Sequence, residues 1–212
     1  MIRLIVFDLD GTIADSKKAY LDTIQIVLSK YGYKFSQKQI SDALGPKLRE
    51  SLLNLKTFKT PILKKICNEI NSHVESLAPS ITSAHYSAQV LRNISGARKH
   101  ALVLMTNSTH KFAHNFLHNS RLEEYFDQIL GADNFKSKVS AFHTLFKELK
   151  VSPEETIYIG DKISDYLIAK EVKCNLLLTH SCSWDKDKIS KAPYNEFLIE
   201  DLRGIVKIVT KI

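Results

Sequence analysis

A short apolar run that breaks into carboxylates sets the frame for this chain. Leu4-Ile5-Val6-Phe7 is followed directly by Asp8-Leu9-Asp10-Gly11-Thr12. An apolar run of this length, carrying Ile and Val, reads as a fully buried strand. In open α/β sheets, ligands bind outside the carboxyl ends of the strands, and the two aspartates stand at that end. Gly11 then lets the chain turn away, because glycine tolerates backbone angles closed to other residues.

Two further strand-like segments repeat the pattern. Ala101-Leu102-Val103-Leu104-Met105 runs into Thr106-Asn107-Ser108. Thr156-Ile157-Tyr158-Ile159 runs into Gly160-Asp161, with Asp165 four residues on. Lys138 stands at the start of an amphipathic helix from Val139 to Leu149. Alternation of strands with helices predicts a parallel sheet, in which these ends share one edge. Taken singly, each aspartate would read as a turn or helix cap. Together they place four carboxylates, a lysine and a hydroxyl at one location.

This ordered set resembles the haloacid dehalogenase superfamily of phosphotransferases. The matching residues are Asp8-Leu9-Asp10-Gly11-Thr12, then Thr106-Asn107, then Lys138, then Gly160-Asp161 with Asp165. The resemblance runs from Ile2 to about Leu202 and is closest to the phosphoglycolate phosphatase-like branch. It implies an α/β fold: a Rossmann-like three-layer core with a parallel sheet, plus an inserted α-helical cap domain. It implies that Asp8 is a nucleophile forming an aspartyl-phosphate, and that Asp10 protonates the leaving oxygen and later takes a proton from water. Thr106 and Asn107 would bind the phosphoryl group, and Lys138 would offset its charge. Lys136 is the rival for that role, since the Lys-Pro form of this motif is absent and Val139 follows Lys138. An acid at Asp10 argues for phosphoryl chemistry, because dehalogenation needs no such proton.

Four adjacent carboxylates repel one another unless a cation neutralises them. A hard ion with oxygen ligands fits, and Mg²⁺ suits carboxylates that share it with a phosphate. The resemblance assigns it to Asp8, the backbone carbonyl of Asp10 and Asp161, with Asp165 binding it directly or orienting its waters.

Between the first motif and the second, residues 16–83 lack a convincing buried strand and carry helix patterns. Tyr20, Ile24, Val27, Leu28 and Tyr31 fall on one helical face. Ser36 suits the N-cap of a short helix through Leu44, Gly45-Pro46 breaks the chain, and Pro61 suits the first turn of a helix to about Leu77. The expected organisation is a catalytic core of 1–15 and 84–212 with a helical cap of 16–83. Gly45-Pro46-Lys47-Leu48-Arg49 looks like a specificity loop, with Lys47 or Arg49 contacting a second anionic group of the substrate. His110, His114 and His118 lie opposite Phe112 and Phe116 on one helix and read as its solvated face. Trp184 follows the last core strand and reads as local packing or a substrate contact. His100 and Lys173 occupy turns where relatives often carry glycine.

Composition limits the alternatives. The 212 residues, 44% apolar, suit one core domain plus an insertion. No apolar stretch approaches the ~20 residues of a membrane span. The first apolar run is too short for a signal peptide, and the odd count of three cysteines shows no metal-ligand spacing, so a reducing cytoplasm is expected. The net charge of +7 is scattered, without the basic block or aromatic interleaving of a nucleic-acid binder. The expected activity is Mg²⁺-dependent hydrolysis of a small anionic phosphoester, with phosphoglycolate the leading substrate. β-Phosphoglucomutase-like transfer and a non-catalytic binding role on the same scaffold are the alternatives. Monomer and dimer both remain open.

Overall fold

A computed structural model describes residues 1–96 and 99–209; positions 97, 98 and 210–212 of the expected core segment lie outside the described residues. Six parallel strands form one sheet: β1 (Leu4–Phe7), β2 (Ala101–Met105), β3 (Gln128–Leu130), β4 (Thr156–Gly160), β5 (Asn175–Thr179) and β6 (Leu198–Ile199). Their order is β3-β2-β1-β4-β5-β6, so the first strand is central. Phe7 pairs with Leu104 of β2 on one side and Ile159 of β4 on the other. The residues after these three strands therefore leave the sheet side by side.

Burial explains the composition of β1. Ile5 and Phe7 enter one apolar cluster, whereas Leu4 and Val6 enter the cluster on the opposite face. A strand with period-2 side chains and helices on both faces must be apolar throughout. One face is covered by α5 (Ser87–Gly96), α6 (His110–Ser120) and α10 (Arg203–Val209). The other is covered by α7 (Lys138–Leu149), α8 (Ile163–Val172) and the short α9 (Lys186–Ile189). This is the three-layer α/β arrangement expected from the alternation of elements.

The segment after β1 is helical: α1 (Lys17–Lys30), α2 (Gln37–Ala43), α3 (Leu48–Leu55) and α4 (Thr60–Leu77). Ser36 caps α2 as expected. Its hydroxyl accepts from the Gln39 amide, and the Gln39 side chain accepts from the Ser36 amide. Apolar faces of α1 and α4 meet through Ile24, Val27, Leu28, Ile66 and Ile70, and this cluster is continuous with Phe112 and Phe116 of α6. Glu75 of α4 takes a hydrogen bond from Thr109 (2.8 Å) and an ion pair from Lys111 (3.1 Å), so polar contacts edge the apolar seam.

Lys173 closes α8 at φ 61°, a left-handed conformation that glycine adopts without strain. His100 instead uses its ring nitrogen to meet the Ile2 carbonyl at 2.8 Å. His114 and His118 are on the solvated side of α6, each beside Glu123. Among the described residues, no helix is long and apolar enough to cross a membrane.

Phe116→Ala removes a buried ring from the seam between α6 and its neighbours. It is expected to lower unfolding stability by about 3–5 kcal/mol in urea titrations followed by circular dichroism. His118→Ala, on the same helix but the solvated face, is expected to leave the urea midpoint where it is. Equal shifts for the two would contradict the packing described.

Candidate active site

Asp8 is the first residue past β1, anchored by its amide donating to the Ile159 carbonyl (2.8 Å). It is only 5% exposed. Lys138, at the start of α7, places its ammonium 2.9 Å from Asp8 Oδ1 and 3.6 Å from Asp165 Oδ1. A capping box between Ser137 and Ser140 fixes that helix start, which decides where the lysine emerges. Lys136, two residues earlier, is exposed. The Tyr158 hydroxyl accepts from Lys138 (2.6 Å) and donates to Asp165 Oδ1 (2.7 Å).

Asp165 also closes the turn after β4. Its Oδ2 accepts from the amides of Asp161 (3.1 Å) and Lys162 (3.0 Å). Gly160 is required there, since a Cβ at that position would collide with the Asp165 carboxylate. Asp161 is fully buried, and its Oδ2 accepts from the Trp184 amide at 2.7 Å. Its Oδ1 is buried without any partner. Gly11 (φ 88°) makes the turn after the first motif, and a Cβ on it would strike Asp161 and Trp184.

Asp10 faces a different set of groups. Ser16 donates to its Oδ1 (2.6 Å), while Thr106 (2.9 Å) and Ser108 (2.6 Å) donate to its Oδ2. The Tyr20 hydroxyl lies 2.6 Å from that of Ser108. Asn107 does not point at the carboxylates: its amide donates to the Gly45 carbonyl of the helical segment (2.9 Å). Lys47 crosses the same gap and donates to the carbonyls of Ala132 (2.5 Å) and Phe135. Arg49 is exposed on α3 and is not among the residues lining the cleft above Asp10.

Electrostatics separate the three clustered carboxylates. Burial pushes Asp8 up to about 6, with Lys138 the main opposing influence. Burial likewise raises Asp161 well above the usual carboxylate range, against Lys162. Burial acts on Asp165 too, but Lys138, the Tyr158 hydroxyl, Lys162 and the Asp161 amide hold it below its ordinary value. Asp8 and Asp161 are thus the undercompensated pair. Oxygens of Asp8, Asp161 and Asp165 come within 4.8 Å of one another. An all-carboxylate set with one orphaned oxygen fits a hard divalent cation such as Mg²⁺.

Sequence reasoning had located Asp8, Asp10, Thr106, Lys138, Asp161 and Asp165, and the structure brings these six together. It had not singled out Tyr158, Ser16, Tyr20 or Lys162. Tyr158 carried a usable signal, being a hydroxyl-tipped side chain between Ile157 and Ile159 in the middle of β4. Ser16 and Tyr20 carried none, because their approach to Asp10 depends on how α1 packs.

Residues 5–179 match the sequence profile of the family described as haloacid dehalogenase-like hydrolase. The chain is 23% identical to a phosphoglycolate phosphatase of Vibrio cholerae, over 98% of this chain and 97% of that protein. It is 23% identical to the pyrophosphatase PpaX of Oceanobacillus iheyensis, again over 98% and 97%. The structure of a hydrolase from Pseudomonas syringae superimposes with a TM-score of 0.84 at 18% identity, covering 99% of each chain.

A cation bound by Asp8 must displace the proton that burial favours. Below the Asp8 value of about 6, Mg²⁺ therefore competes with protons. Calorimetric titrations are expected to show the half-saturating Mg²⁺ concentration rising as pH falls below that value, steepening toward about tenfold per pH unit for the one Asp8 proton. A half-saturation that stays flat down to about pH 5 would count against Asp8 as a ligand.

Proposed function

The chain belongs to the haloacid dehalogenase-like hydrolase family, and on that premise we propose that it is a Mg²⁺-dependent phosphatase acting on a small phosphorylated metabolite. The observation that carries this reading is the buried Asp8 carboxylate, paired with Lys138 at 2.9 Å and clustered with Asp161 and Asp165. A binding module would have little reason to bury three repelling carboxylates at a sheet edge.

Asp8 attacks phosphorus and forms an aspartyl-phosphate, which divides one slow hydrolysis into two displacements. Asp10 gives its proton to the departing oxygen, then takes one from the water that attacks the phosphoenzyme. Ser16, Thr106 and Ser108 hold the Asp10 carboxyl in place for both transfers. In this arrangement the Thr106 proton is given to Asp10; turning that hydroxyl toward a phosphoryl oxygen is the motion substrate would induce. Lys138 neutralises Asp8 and the phosphoryl charge that develops beside it. Asp165 and Tyr158 orient Lys138 from behind. Asp8, Asp161, Asp165 and the Asp10 carbonyl would hold Mg²⁺, which supplies charge neutralisation of the phosphoryl oxygens.

Residues 16–83 act as a cap. With the Gly45 carbonyl on Asn107 and Lys47 on the core carbonyls, the cap shields the cleft from water. Phosphoglycolate is the first substrate to test and pyrophosphate the second, since relatives of both names align over nearly the whole chain. The expected setting is the cytoplasm.

Phosphate release with Mg²⁺ across a panel of small phosphoryl compounds tests the reading. Turnover of at least one compound is expected, with Asp8→Asn reducing it by about 10³-fold or more. Folded, Mg²⁺-saturated protein that releases phosphate from none of them would overturn the proposal. So would an Asp8→Asn variant as active as the parent.

A further inference from the structure

Lys162 and Trp184 have no task in the reaction just described, yet they are built into the same site. Lys162 follows Asp161 and is only 9% exposed. Its ammonium lies 3.8 Å from the centroid of the Trp184 ring. Among the described residues it forms no ion pair and no hydrogen bond through that ammonium. Burial opposes its charge, but the carboxylates of Asp161, Asp8, Asp10 and Asp165 hold its proton above the ordinary lysine value, and the ring face supports the ammonium at the cleft wall. Trp184 is also 9% exposed, and its indole N–H is buried without an acceptor. The ring is held by its own amide on Asp161 (2.7 Å) and by Lys17 on its carbonyl (2.9 Å). A cation laid on a ring face and an indole donor without an acceptor among the described residues thus sit on one fixed residue pair.

Their position indicates which part of a substrate they would meet. The cleft they line includes Asp10, Asn107 and Ser108, with Leu44, Gly45 and Pro46 of the helical segment opposite. Asp8, Lys138 and Asp165 do not line it. Asp10 is the proposed donor to the leaving oxygen, so this is the leaving-group side. Both Asp10 oxygens already accept from hydroxyls, so Asp10 attracts Lys162 by charge without a direct hydrogen bond to its ammonium.

We propose that Lys162, supported on Trp184, is the specificity-determining residue for the leaving group, and that it receives a second anionic group on the half of the substrate that is not transferred. This rests on the phosphatase reading and narrows it to compounds whose leaving group carries a carboxylate or a further phosphoryl group. The exposed Arg49 of α3 is not required for that recognition.

The kinetic test compares 2-phosphoglycolate, pyrophosphate and ethyl phosphate, whose leaving groups are a carboxylate, a phosphate and a neutral alcohol. Lys162→Met keeps the aliphatic stem on the indole and removes the charge. It is expected to cut kcat/KM on the better of the two anionic compounds by about 10–100-fold, mainly through KM, as befits a charge-assisted hydrogen bond. That loss should exceed the loss on ethyl phosphate at least tenfold, and Lys162→Arg should restore most of it. Whichever of phosphoglycolate and pyrophosphate suffers the larger loss identifies the group as carboxylate or phosphoryl.

A second arm needs no turnover. Trp184 is the sole tryptophan of the chain, so its fluorescence reports directly on this site. In Asp8→Asn protein, one of the anionic compounds should shift the emission at concentrations where ethyl phosphate does not, and adding Lys162→Met should weaken that response at least tenfold. Equal kinetic losses on all three compounds, or emission changes independent of Lys162, would overturn the proposal. If the parent protein turns over nothing, the phosphatase reading fails by itself, and the fluorescence arm still decides whether Lys162 binds anions.

Discussion

Everything at this site depends on keeping like charges together in a place without water. Asp8, Asp161 and Asp165 converge because β1 and β4 are adjacent and in register, not because the carboxylates attract. Isolated buried carboxylates would take up protons instead of staying charged. Lys138 opposes this on one side, holding Asp165 below its ordinary value and offsetting part of the burial of Asp8. Tyr158 extends its reach by accepting from the lysine and donating to Asp165. On the other side, toward Asp161, the balance is incomplete and one oxygen has no partner. A divalent cation held there would answer both the charge and the missing coordination.

The hydrophobic sheet supplies the rigidity this requires. Side chains of β1 are committed to two apolar clusters on opposite faces, so the strand cannot slip by a residue without exposing one of them. Its carboxyl end is therefore fixed relative to β2 and β4. Glycines at 11 and 160 complete the arrangement by letting backbone approach carboxylate where any Cβ would collide. Packing energy and catalytic geometry are here the same constraint viewed at two ends of a strand.

Much of this was legible in the sequence because buried parallel strands are continuous apolar runs, and whatever polar residue ends such a run is displayed at a known edge. Asp8, Thr106 and Asp161 needed only that rule. The helices at 37–43, 60–77 and 138–149 were legible from Ser36, Pro61 and the pattern after Lys138, since caps are local chemistry. Residues whose role depends on packing between segments were not. Arg49 and Lys47 are two positions apart at the start of α3, but only Lys47 turns toward the core. Ser16 and Tyr20 reach Asp10 through the placement of α1, which no periodicity specifies. Nothing local in the sequence marks Lys162, since its place over an indole depends on where the fold puts Trp184.

The four residues after β2 tie these levels together. Thr106 and Ser108 bond to Asp10, while Asn107 and Thr109 bond outward to Gly45 and Glu75 of the helical segment. Alternate residues of one short segment thus serve the reaction centre and the seam above it. The core and its helical lid are consequently not interchangeable parts. A foreign lid grafted onto this core would have to bring a carbonyl to Asn107 and a carboxylate to Thr109, or it would disturb the hydroxyls that hold Asp10. Divergence in lid sequence is free over its outer surface and constrained at those points of attachment, as it is where Lys47 and Tyr20 meet the core.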